Sequence, residues 1–129
     1  MEIYLCSGKI TITKNTTLYE TKKIFDPYGF KVTKNEHTIV YYGRLPIGAA
    51  SNIVVHMYFE LETEIISSAL IHIYPIKFEQ TQKYLISHYG EPTMKKSDYE
   101  YIWTLPDGKI EHIIKDRFGD EEGIYFSFN

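Results

Sequence analysis

His56 and His72 are the two side chains best placed by type and spacing to do chemistry. Each lies in an alternating run, Asn52 to Leu61 and Ala69 to Tyr74. In both runs the histidine falls on the side away from the apolar set. Ile53, Val55, Met57, Phe59 and Leu61 alternate on one side of the first strand; Ala69, Ile71 and Ile73 do so on the second. Period-two alternation marks a strand with one buried face. Matching the faces of the two runs pairs His56 with His72, Val54 with Tyr74 and Tyr58 with Leu70. Two facing imidazoles flanked by Tyr58 and Tyr74 can bind a metal or couple their titrations. The competing reading is an outer sheet face covered by amphipathic rings. No third metal ligand accompanies the pair, so no metal is assigned.

The acids form the second pattern. Glu60, Glu62 and Glu64 surround the tip of the hairpin that carries the histidines. Asp116, Asp120, Glu121 and Glu122 surround the tip of the last hairpin. Seven of the 17 acids thus fall in two short segments. If the tips share an edge, their field attracts a basic protein partner and speeds docking. Solvated turns that guard strand edges are the plainer explanation. The segment from Asp116 to Glu122 lacks the alternating aspartates and glycine of a calcium loop.

Several chemistries find no signature. Gly43 to Ser51 carries spaced glycines but no Gly-Lys-Ser/Thr, and there is no Gly-x-Ser-x-Gly elbow or His-Glu-x-x-His. Cys6 is the single cysteine, so no internal disulfide forms; it reads as a small strand residue packed in the core. No cofactor is implied, and an enzyme is not expected.

The elements that must position these residues follow from composition and punctuation. The chain has 129 residues and is 43% hydrophobic, which suits one domain with one core. Twelve Tyr, seven Phe and one Trp favour half-buried pleated surfaces, so the fold class expected is sheet-rich α+β. Trp103, Tyr101, Tyr99, Tyr41 and Tyr42 offer an aromatic anchor for a partner, although such residues more often fill the space between sheet and helices. Ile3–Cys6 and Lys9–Thr13 read as a hairpin. Thr17 and Glu20 spell a capping box for a helix over Leu18–Phe25, and Asp26-Pro27-Tyr28-Gly29 stops it. Thr38–Tyr42 reads as a strand and Gly43–Ser51 as a loop. Pro75 opens a helix over Ile76–Tyr89 with an inward stripe of Phe78, Thr81, Gln82, Leu85 and Tyr89, and Gly90 caps it. Tyr99–Leu105, Ile110–Phe118 and Ile124–Phe128 are the last strands. A two-residue Asp107-Gly108 turn pairs Glu100 with Lys115 and Ile102 with Ile113; the missing donor of Pro106 argues for a three-residue loop instead.

The order is then ββ-α-βββ-α-βββ: a mostly antiparallel sheet of six to eight strands with two helices on one face. An offset of 61 residues superposes Lys22 on Lys83, Tyr28 on Tyr89 and Gly29 on Gly90, which raises an internal duplication of halves 1–75 and 76–129.

The formal charge is −3, distributed as +3 over residues 1–35, −2 over 36–90 and −4 over 91–129. No basic stripe favours nucleic acid. No apolar run is long enough to span a membrane, and the start lacks a secretory pattern, so a cytoplasmic location is expected. The tandem helix-plus-hairpins plan from Thr17 to Phe128 resembles the architecture of the β-lactamase inhibitor protein, built from two related α/β halves. Size, acidity and the lack of a catalytic constellation look like small bacterial immunity proteins, which neutralise a cognate toxin. These resemblances imply protein binding by a sheet face or loops and carry over no residue. The inhibitor is secreted and disulfide-bonded, and this chain departs on both counts. Function is therefore expected to be non-enzymatic protein binding through the acidic tips; the alternatives are a small-ligand- or metal-binding protein or an enzyme using His56 and His72, or a structural subunit of a larger assembly.

Overall fold

Alternation decides which side of a strand is covered, and the covered side here is continuous across the six inner strands of the sheet. A computed structural model of the chain describes residues 1–5, 10–47, 51–114 and 121–129, with positions 46, 47, 51 and 52 described as backbone. Cys6, Asp116 and Asp120 lie outside the described residues.

The elements are β1 (Glu2–Leu5), β2 (Ile10–Thr13), α1 (Leu18–Phe25), β3 (Lys31–Lys34), β4 (Ile39–Ile47), β5 (Ser51–Phe59) and β6 (Ile66–Tyr74). They continue with α2 (Phe78–Tyr89), β7 (Met94–Ser97), β8 (Glu100–Leu105), β9 (Gly108–Ile114) and β10 (Glu122–Phe128). The class is α+β. β1 and β2 form a two-stranded ribbon; the other eight strands form one antiparallel sheet in the order β3-β4-β5-β6-β10-β9-β8-β7. Two four-stranded meanders, each preceded by a helix, meet where β6 pairs with β10.

Each helix is thus followed by four strands rather than three. The two unexpected strands, β3 and β7, are the edges of the sheet. All their residues are exposed, and both are lysine-rich, so neither carries the apolar alternation that reveals a strand. Lysine on an exposed edge discourages pairing with another chain.

The inner face is built in rows. Tyr41, Met57, Ala69, Phe126, Ile110 and Trp103 lie side by side across six strands, all buried. Phe25 from the end of α1 and Phe30 beyond it pack on Tyr41, while Tyr89 of α2 packs on Phe126. Both helices therefore cover this one face. Ile3, Leu5, Ile10 and Ile12 of the ribbon join the same apolar cluster. Tyr84 and Tyr89 of α2 donate their hydroxyls to the carbonyls of Tyr4 and Glu2.

Local signals account for α1. Glu20 N–H donates to Thr17 Oγ1 at 3.2 Å, and Thr17 N–H donates to Glu20 Oε1 at 3.3 Å, completing the capping box. Gly29 ends the following turn at φ 73°, which a Cβ disfavours.

Three expectations are corrected. Gly43 is not in a loop: β4 runs through it to Ile47. The glycine marks a close approach instead, because a Cβ there would lie 2.1 Å from the Phe30 ring. α2 begins at Phe78, two residues late, after a cis Tyr74–Pro75 peptide. The β8–β9 turn is Pro106-Asp107, pairing Leu105 with Gly108 and Glu100 with Ile113. Moving the turn back removes Pro106, which has no N–H, from the ladder while keeping Trp103 and His112 on the inner face.

Gly43→Ala should destabilise the chain by about 1–3 kcal/mol in urea unfolding, because Phe30 must leave its rotamer or the strand must shift. Combined with Phe30→Ala, the two costs should be clearly less than additive.

Candidate functional site

The side of the sheet away from the helices carries no covering element among the described residues. Its central row runs Lys31, Tyr42, His56, Leu70, Tyr125, Glu111, Ile102 and Met94. The next row runs Arg44, Val54, His72, Gly123, Ile113 and Glu100. The middle of this face is thus aromatic, imidazole and aliphatic, with charge toward its sides. Val54, His56, Tyr58, Leu70, His72, Ile113 and Tyr125 are half-buried by their neighbours, and Tyr42 and Tyr74 are exposed.

His56 and His72 do meet on this face, but diagonally. His56 pairs with Leu70 and Val54 with His72, while Tyr58 pairs with Ser68 and Tyr74 with Asn52. The hairpin closes more tightly than alternation alone suggests. Glu60 N–H donates to Ile65 O, Glu64 turns at φ 55°, and a bulge follows Tyr58. The imidazoles still touch edge to face, with centroids 5.4 Å apart. Tyr42 meets the edge of His56, and Tyr74 stacks beside His72. Burial, and then the neighbouring His72, lowers the pKa of His56 below the usual imidazole value. Glu121 Oε1 lies 3.3 Å from His72 Nδ1, close enough to pair with a protonated ring although the hydrogen-bond geometry is not met. Among the described residues no three His, Cys, Asp or Glu are grouped to hold a metal ion.

The acidic residues among the described ones do not form one patch. β10 runs antiparallel to β6, with Glu122 beside Ile73 and Ser127 beside Ser68. The β5–β6 tip therefore lies at one end of the sheet and the start of β10 at the other. Glu60 and Glu62 are exposed and Glu64 is half-buried at the first tip, where Glu60 accepts a hydrogen bond from the Thr63 hydroxyl. Glu121 is half-buried at the far end.

Glu122 is a core residue, not a tip residue. It lies in the inner row Leu45, Ile53, Ile73, Glu122, Ile114 and is fully buried. Its Oε2 is 2.6 Å from Nε2 of His112, which is equally buried, and its Oε1 accepts the Lys77 N–H at 2.7 Å. Nδ1 of His112 is 2.7 Å from Gln82 Oε1, and the Phe78 ring stacks on the imidazole at 4.1 Å. The network ties α2 to β9 and β10 at its first two turns. Its signal was present in the sequence: Glu122 shares the phase of Ile124, Phe126 and Phe128, and His112 that of Ile110 and Ile114. Trp103 and Tyr41 are likewise buried, and only Tyr42 and Tyr99 of the aromatic set are well exposed.

Glu122→Leu leaves His112 and the Lys77 N–H without their acceptor. The cost should be about 3–5 kcal/mol in chemical denaturation. His56 gives a pH signature. Its folded pKa is depressed, so the unfolded chain takes up the proton more readily. Its share of stability is present above the unfolded pKa and is lost as pH falls through the folded one. His56→Gln should therefore flatten the decline of melting temperature on the acid side of about pH 6.5.

No protein-family model, no curated protein and no solved structure matches the chain.

Proposed function

We propose that this chain is a non-enzymatic protein-binding module that neutralises a protein partner, in the manner of small bacterial toxin-immunity proteins, with the bare sheet face as its contact surface. The observation that carries this reading is the one-sided covering of an eight-stranded sheet. An apolar and aromatic face without a covering element favours a protein partner over bulk water. Tyr42, His56, Leu70, His72, Tyr74 and Tyr125 supply the aromatic and aliphatic centre that interfaces use. Glu60, Glu62 and Glu64 at one end, and Glu121 at the other, frame that centre with negative charge. The partner thus has an apolar patch with basic residues beyond it, and the acids steer rather than anchor it. The reading places the chain in the cytoplasm. It also takes each helix-plus-meander half as one copy of a duplicated unit, supported by the matching order of elements and by a positive-φ glycine, Gly29 and Gly90, behind each of the two helices.

The test uses a partner captured from native cells and then purified. Leu70→Asp puts a charge at the centre of the face and should weaken binding at least about tenfold. Glu62→Lys with Glu64→Lys should slow association and flatten its salt dependence while changing dissociation little. A partner bound equally by wild type and Leu70→Asp overturns the sheet face as the contact surface.

A further inference from the structure

A second concave site lies on the helix side of the molecule, between α2 and the β7–β8 edge, and does not depend on the sheet-face reading. It is an open depression with room for about 370 Å³, in the lower part of the range of roughly 300–1,000 Å³ typical of ligand pockets. Three rings form its walls. Phe78 meets Tyr99 edge to face at 5.8 Å and 74°, and Tyr101 at 6.0 Å and 43°. The rings pack on one another and so form one continuous aromatic wall. Phe78 cannot swing away freely, because its other face is stacked on the buried His112. Tyr99 is 58% exposed, so the opening wall is accessible. Glu79 and Asp98 contribute carboxylates to the lining, against a single lysine, Lys83.

We infer that this pocket binds an organic cation, specifically the guanidinium of an arginine side chain. Aromatic faces attract a cation through their quadrupoles. A planar guanidinium can stack on a ring while its N–H groups reach a carboxylate, which an ammonium does less well. The chain already places a cation, an ammonium, at the rim. Lys95 Nζ lies 5.8 Å from the Tyr101 centroid and 3.2 Å from Asp98 Oδ1, both of which belong to the pocket wall. An internal cation thus holds the outer part of the site. It competes with an incoming guanidinium for Tyr101 and for Asp98. An anion would find only Lys83 uncommitted among the described lining, and would face two carboxylates.

The test is a titration of the intact chain with N-acetyl-arginine methylamide, followed by NMR shifts of the Phe78, Tyr99 and Tyr101 ring protons. The neutral norleucine and anionic glutamate analogues serve as controls. The arginine probe should shift all three rings with a Kd of order millimolar, and the controls should not. Tyr99→Ala should weaken binding by about 2- to 5-fold, and Tyr99→Phe should keep it. Lys95→Ala should strengthen it, because it removes the internal competitor; a pocket that merely packs aliphatic stems would show no such gain. Equal shifts from the norleucine analogue, stronger shifts from the glutamate analogue, or no saturable shift with arginine overturns the proposal. Tyr99 and Lys95 are exposed, so neither variant threatens folding.

Discussion

The pairing of β6 with β10 is the contact on which the rest of the arrangement depends. Each meander alone is a four-stranded sheet with a helix on one side. Joined along this seam, with Ile71 beside Ile124 and Ala69 beside Phe126, they share one inner face and one core. Because the pairing is antiparallel, the hairpin that ends at β6 and the one that ends at β10 point to opposite ends. The same register brings Glu122 into line with Ile73 and away from solvent. A slip of one residue would exchange the two faces of β10, turning Ile124 and Phe126 outward and Tyr125 inward.

The buried His112–Glu122 pair is the polar consequence of that seam. A buried polar pair is not in itself a strong source of stability, since desolvation offsets most of the attraction. Its geometry nevertheless specifies a position. Glu122 is satisfied only if Lys77 presents its N–H and His112 its ring, which fixes the start of α2 against β9 and β10. Gln82 and Phe78 then hold the imidazole from the helix side. Phe78 in turn sets one wall of the pocket at the β7–β8 edge, so core and surface are coupled through one ring.

The outer face follows from what the inner face consumes. Both helices and the ribbon are spent on one side. What remains opposite is a sheet surface whose imidazoles and tyrosines touch one another. His56 and His72 are therefore elements of a face, with their rings in contact and His56 resisting protonation.

The sequence by itself determined most of the local structure. The Thr17–Glu20 box, the stop at Gly29 and the inward phases of β5, β6 and α2 all depend on neighbours within a turn or on strict alternation, and these are readable from residue types. It also placed His56 and His72 on the outer side. The edge strands were hidden because exposed lysine-rich segments carry no periodicity, and Gly43 was misleading because glycine marks both loops and close approaches. Only the tertiary structure decided the registers, since turn geometry and a bulge shift pairings by two residues without changing the face. It alone set Glu60, Glu62 and Glu64 at the opposite end from Glu121 and paired Glu122 with His112, because which strand lies beside β10, and in which direction, is set by long-range packing.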